Sequence, residues 1–131
     1  GKDVIMSPNN VLYFNRNQTD SADEPYGPQY GISTLKNVYD YQLYPKTLSA
    51  SERKFIKGAQ FAIWTEFISS VEHLEYMLLP RMPTLAENLW SSPENKDFDD
   101  FITRLNQGHY DFWKRNGIRY HPKFDKKKGT D

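Results

Sequence analysis

Trp64 and Glu66 stand two residues apart in the run Gly58-Ala59-Gln60-Phe61-Ala62-Ile63-Trp64-Thr65-Glu66-Phe67. On an extended backbone both point to the same side and can line one pocket. An indole face beside a carboxylate suits a sugar: the ring packs on the apolar face of a pyranose while the carboxylate accepts hydrogen bonds from hydroxyls. The same tripeptide also fits a core tryptophan followed by a solvated glutamate, because so short a pattern recurs by accident. A second group follows the run Val11-Leu12-Tyr13-Phe14, which meets the polar Asn15-Arg16-Asn17-Gln18. If that segment is extended, Tyr13 and Asn15 share one side with Arg16 next to them. A strand-edge tyrosine ahead of a polar turn is the plainer alternative.

These side chains need elements to carry them. The apolar run from Gly58 to Phe67 reads as a strand buried on both faces, delivering Trp64 and Glu66 at its C-terminal end. That is where parallel-barrel enzymes keep their chemistry. Val4-Ile5-Met6 reads as a first buried strand, ended by the turn Ser7-Pro8-Asn9-Asn10. Between the strands, residues 17–34 carry Asp, Ser, Pro and Gly without period and read as a long functional loop. Ser33 or Thr34 can cap a short helix through Leu35, Val38 and Tyr39, and Ser49 to Ile56 gives another helical turn or two. Two buried strands so joined are most simply parallel.

Downstream, Ser69 and Glu72 have capping-box spacing ahead of His73 to Leu79, and Pro80 separates this helix from a second one through Leu85, Ala86, Leu89 and Trp90. Asp97 to Asn116 is the longest helical stretch. Its expected stripe is Phe98, Phe101, Ile102, Leu105, Phe112 and Trp113, with Gly117 at the position just past the end. His109 falls beside the stripe and reads as a packed surface residue, not a ligand. Asp125 to Asp131 should be a solvated tail.

The 131 residues carry 17 basic and 17 acidic side chains, a balance that gives no electrostatic footprint for nucleic acid or an anionic membrane. No apolar run approaches the roughly 18 residues of a membrane span. The absence of cysteine excludes disulfides and thiolate metal sites. Gly1-Lys2-Asp3 lacks signal-peptide character, so the chain is expected to start in mid-fold. Nine Tyr, eight Phe and three Trp suit carbohydrate binding as well as a heavy core.

The succession VLYFNR, GAQFAIWTEF, YMLLPRMPTLAENLW, DFDDFITRL and NGI resembles the C-terminal part of the family 20 glycoside hydrolases, the β-N-acetylhexosaminidases. The resemblance covers essentially the whole chain. It implies an α/β fold, the end of a (β/α)8 barrel: residues 1–16 as the seventh strand, 17–56 as crossover loop and short helices, 57–67 as the eighth strand, 70–90 as paired helices, 97–116 as a terminal helix and 117–131 as a tail. It also implies removal of terminal GlcNAc or GalNAc from glycans by substrate-assisted catalysis, without metal or cofactor. In that chemistry the substrate's acetamido oxygen attacks the anomeric carbon, and an adjacent Asp-Glu pair orients the acetamide and protonates the leaving group.

The pair belongs to a His-x-Gly-Gly-Asp-Glu stretch that this sequence does not contain, so the chain is expected to lack the general acid and to be inactive alone. Three matched positions carry over. Tyr13 matches the phenol that hydrogen-bonds the acetamido oxygen, Trp64 the wall of the terminal-sugar subsite, and Glu66 the carboxylate that binds the 4- and 6-hydroxyls. Arg81, Glu87 and Trp90 also match, and read as packing and ion-pairing residues of the helical layer. Ala59 replaces a common glycine, a small change in a strand. Asn15 stands where Asp is common, and the same Tyr-x-Asn-Arg occurs in members that accept 6-sulfated GlcNAc. An exported location and self-association of the chain are further expectations. The rival expectation is a non-catalytic module that binds glycan or a protein partner through the same aromatics.

Overall fold

The computed structural model describes residues 1–20, 24–26 and 31–122; the tail expected over Asp125–Asp131 lies outside them. Strand β1 (Val4–Met6) is followed by a helical turn α1 (Asn9–Leu12), by α2 (Leu35–Tyr39) and α3 (Ala50–Arg53), and by strand β2 (Ile56–Ala59). Helices α4 (Val71–Leu78) and α5 (Arg81–Trp90) come next. The last helical stretch comprises α6 (Phe98–Arg104), a π-helical turn over Leu105–His109 and α7 (Tyr110–Arg115). β1 and β2 pair in parallel, with Ile5 opposite Gly58 and Met6 opposite Ala59, which is the pairing the long connection predicts.

β1 is the Val4–Met6 run that the sequence predicts, but Val11 and Leu12, expected to be extended, belong to a helical turn over residues 9–12, and β2 is shorter than expected: it ends at Ala59, leaving one isolated bridge, Tyr13 to Ala62, to carry the pairing onward. Neither strand is buried on both faces, since Val4 and Ile5 are 44% and 58% exposed. The reason is coverage: among the described residues the sheet has two strands, and only one of its faces meets helices. On that face Ala59, Phe61 and Ile63 pack on a cluster of Leu12, Phe14, Val38 and Leu85. The alternation is that of an extended chain.

The caps follow local chemistry. Thr34 accepts from the Asn37 amide while the Asn37 side chain returns the bond, closing the box that starts α2. At the start of α3 the Glu52 carboxylate accepts from both the amide and the hydroxyl of Ser49. The cap of α4 is Ser70 and not Ser69, because it is the Ser70 hydroxyl that accepts from the His73 amide. Asp97 caps α6 through the amides of Asp99 and Asp100. Gly117 terminates α7 at φ 67°, the left-handed conformation that glycine supplies most cheaply.

The stripe of the last helix departs from a regular period at its π turn. Phe101, Ile102, Leu105 and Trp113 are buried as expected, but Phe112 is 52% exposed and Tyr110, outside the expected stripe, is buried instead. A regular helix returns to one face after seven residues; the extra residue of a π turn delays the return by one, moving the face from Phe112 to Trp113. These side chains join Leu35, Tyr39 and Leu79 in the second core cluster.

Two imidazoles, His73 buried and His121 half-buried, make this packing sensitive to acid. His73 is 2% exposed, its Nε2 has no partner, and its ring stacks on Tyr26 at 3.9 Å. Burial pushes the pKa of His73 down, and burial outweighs the Pro122 carbonyl to do the same at His121. The unfolded chain therefore binds protons near the ordinary value of about 6.5, where the folded chain resists them. Stability is full above that value and falls as pH drops through it. The melting temperature is expected to be lower at pH 5.5 than at pH 7.5, above the range where carboxylates titrate, and His73→Phe should weaken the dependence. A flat or inverted profile over that interval would contradict the assignment.

Candidate functional site

At the carboxyl ends of the two strands the backbone holds Tyr13 and Trp64 close together. The Phe14 amide donates to the Ala62 carbonyl at 2.7 Å, and the Ala62 amide donates to the Leu12 carbonyl at 2.8 Å. Side chains then divide by alternation. Phe14 stacks on Phe61 at 4.8 Å on the helical side, whereas Tyr13 and Trp64 meet on the other with ring centroids 6.4 Å apart and planes tilted by 41°. Trp64 is 54% exposed, so the plainer expectation of a core tryptophan does not hold. Glu66, two residues on, is exposed, and among the described residues no hydrogen bond or ion pair engages its carboxylate. An open aromatic corner with a free acceptor beside it can stack a pyranose and bind its hydroxyls.

Asn15 and Arg16 sit differently from the extended arrangement expected of them. The Arg16 amide donates to the Tyr13 carbonyl at 3.2 Å, so Tyr13 to Arg16 is a turn and the alternation stops at Phe14. Asn15 is 8% exposed and its Oδ1 has no partner. The Arg16 Nε donates to the Asn9 carbonyl at 2.7 Å. Its Nη1 lies against Gly31, where a Cβ would collide with it and where the backbone has φ 76°; glycine answers both demands. The structure thus brings Tyr13, Trp64 and Glu66 to one end of the strands and tethers Arg16 toward α1 and the loop.

Of the three helical-layer residues, Glu87 pairs as expected, with Arg104 at 2.7 Å; that hydrogen bond, the largest influence, holds its carboxyl below the usual range. Arg81 forms no ion pair within contact distance among the described residues; its guanidinium is fully buried against backbone carbonyls, and burial lowers its pKa to about 9. Trp90 is 90% exposed and does not pack: it lies at the last turn of α5, on the rim of a groove of about 480 Å³ that also takes in Phe112 and His109. His109 is itself exposed and tilts over Trp113 at 5.5 Å, as a helix-edge histidine should. None of Tyr13, Asn15, Arg16, Trp64 or Glu66 lines that groove.

Sequence reasoning missed the residues that anchor the long loop. Glu24 accepts from the amides of Gln18 and Thr19 and, at 2.8 Å, from the Tyr76 hydroxyl, and burial first, then this bond, raises the Tyr76 pKa. Gln18 donates to the Tyr76 and Leu79 carbonyls. No periodic pattern marks such contacts, and those to Tyr76 and Leu79 join residues more than fifty positions apart. Among the described residues no cluster of His, Asp and Glu is placed to hold a metal ion, and no helix is long and apolar enough to cross a membrane.

A parallel strand pair backed by helices defines an α/β fold, with Tyr13, Trp64 and Glu66 at its carboxyl end. Residues 1–93 match the profile of glycosyl hydrolase family 20, catalytic domain. The chain is 35% identical over 122 residues to a β-N-acetylhexosaminidase of Cellulomonas fimi, covering 92% of this chain and 24% of the relative. It is 36% identical over 120 residues to a β-hexosaminidase of Porphyromonas gingivalis, covering 91% of this chain and 15% of the relative. The structure of a family 20 exo-β-N-acetylglucosaminidase from Vibrio harveyi in complex with N-acetylglucosamine superposes with a TM-score of 0.80 at 27% identity, over 94% of this chain and 19% of that one. The chain belongs to glycosyl hydrolase family 20. It spans a quarter or less of the length of these relatives.

Proposed function

We propose that this chain is the C-terminal part of the catalytic barrel of an exo-acting β-N-acetylhexosaminidase, with β1 and the turn after it in the place of the seventh strand and β2 in that of the eighth. The observation that carries the reading is the corner of Tyr13 and Trp64 at 6.4 Å, at the carboxyl end of a parallel pair and next to an unengaged Glu66. In the reaction so proposed, the acetamido oxygen of a terminal GlcNAc or GalNAc attacks the anomeric carbon and the bond to the leaving oxygen breaks. The leaving oxygen takes its proton from a general acid outside these 131 residues; water then opens the oxazolinium ring and restores the acetamide. Tyr13 donates to the acetamido oxygen, Trp64 walls the sugar ring, and Glu66 accepts from the 4- and 6-hydroxyls. An exported location belongs to this proposal too. It is tested at the gene: an Asp-Glu strand encoded upstream supports it, and a reading frame that begins near Gly1 favours the non-catalytic glycan-binding module.

We further propose that Asn15 and Arg16 admit a 6-sulfate. Asn15 brings no repelling charge and an amide N–H that can donate to a sulfate oxygen, and Arg16 supplies a cation next to it in the chain. A guanidinium within about 4 Å of a sulfate in a partly screened site contributes on the order of 1–3 kcal/mol. Asn15→Asp with Arg16→Leu in the parent enzyme should therefore lower kcat/KM for 6-sulfo-GlcNAc by about tenfold or more and spare the unsulfated substrate. Equal losses on both substrates would mean that these residues shape the mouth without reading the sulfate.

A further inference from the structure

We propose that Arg81 is the positioning residue of the candidate sugar site, fixing the turn that presents Tyr13 and Asn15 by gathering the backbone of three separate segments. The inference rests on the sugar-site reading above and adds to it a residue that touches no substrate.

The guanidinium is 0% exposed. Its Nη1 donates to the carbonyls of Arg16 and Ser33, each at 2.9 Å, and its Nη2 to those of Phe14, at 2.7 Å, and Met77. The cation also lies 4.7 Å from the centre of the Phe14 ring. Burying a full charge with no carboxylate in contact is costly, and an apolar side chain of similar volume would fill the same space at less cost. Packing alone does not account for it.

The choice of acceptors does. The Phe14 and Arg16 carbonyls belong to the peptide planes on either side of the Asn15-Arg16 pair, so holding both fixes how the chain turns immediately after Tyr13. Ser33, where the long loop returns, is tied in by its own bonds as well: its amide donates to the Asn17 carbonyl at 2.8 Å and its hydroxyl to the Val11 carbonyl at 2.6 Å. Met77 lies in the last turn of α4, whose carbonyls attract a cation. One planar fork thus joins the strand exit, the loop return and the helical layer, and its grip leaves Asn15 nearly buried with Oδ1 unbonded. An ammonium has three donors radiating from one atom and cannot reproduce a fork that spans four carbonyls.

The test is a double-mutant cycle in the parent enzyme, with kcat/KM on a GlcNAc glycoside read well below the melting temperature of every variant. Arg81→Lys should lower kcat/KM by about 10–100-fold, since misplacement of about 1 Å has effects of that size, with a raised KM as well as a lowered kcat. The loss from Tyr13→Phe should largely vanish in the Arg81→Lys background, because the turn that presents Tyr13 is already released. Leu105→Ala, in the other core cluster, serves as the control that lowers the melting temperature without altering kcat/KM. Should Arg81→Lys fail to fold, Phe14→Leu removes the ring under the guanidinium while keeping the carbonyl, and should show the same non-additivity with Tyr13→Phe at smaller amplitude. Losses that multiply, with KM unchanged, would make Arg81 a purely structural residue and overturn the proposal. Tyr13→Phe and Trp64→Ala keep the two claims apart: if neither changes kcat/KM, the sugar-site reading itself fails.

Discussion

Glu66→Ala in the parent enzyme should lower kcat/KM for a terminal GlcNAc by about 10²–10⁴-fold, the largest effect expected of any residue in this chain. Hydrogen bonds to a charged acceptor contribute about 1.5–3 kcal/mol each, so two hydroxyls on one carboxylate amount to about 3–6 kcal/mol, and about 1.4 kcal/mol is a factor of ten. The folded protein should barely notice the change. Glu66 is exposed, and among the described residues its carboxylate has no partner to lose; surface substitutions of that kind stay within about 0.5 kcal/mol. A large loss of activity at constant melting temperature is therefore the signature to look for. Loss of stability without loss of kcat/KM would assign Glu66 to the fold and remove it from the site.

The 131-residue chain by itself, purified free of host enzyme, should not turn over an aryl N-acetylglucosaminide. No His-x-Gly-Gly-Asp-Glu stretch occurs in it, and loss of a general acid alone typically costs about 10²–10⁴-fold. The same preparation should self-associate. Val4 and Ile5 are exposed on a two-stranded sheet, and unpaired strand edges beside apolar side chains are templates for another copy. Turnover at a measurable rate would sink the first expectation; a strict monomer by light scattering at high concentration would sink the second.

What was legible in the sequence was what obeys a period or a local rule. The parallel strands, the cap at Thr34, and the break at Pro80 all follow from spacing and from side-chain to backbone chemistry within a few residues. So does the exposure of Trp64 on the face opposite the helices, because Ala59, Phe61 and Ile63 go to them. Illegible were the features set by distant contacts. Tyr13 to Arg16 turns inward because a guanidinium sixty-five positions away from Arg16 holds its carbonyl, and nothing near Asn15 announces that. The π turn takes Phe112 off the buried face, and although Gly108 lies inside that turn, a lone glycine in a helical pattern does not predict one. Trp90, matched by family resemblance, is exposed on its groove for reasons the sequence pattern does not contain.

The central claim, that Tyr13, Trp64 and Glu66 form one wall of a terminal N-acetylhexosamine subsite, is tested most directly by a crystal structure of the parent enzyme with bound GlcNAc. The account predicts the Trp64 ring against the apolar face of the pyranose, Glu66 within hydrogen-bond reach of the 4- and 6-hydroxyls at roughly 2.5–3.2 Å, and the Tyr13 hydroxyl at similar distance from the acetamido oxygen. A sugar seated elsewhere, with Trp64 and Glu66 both out of contact with it, would contradict the account.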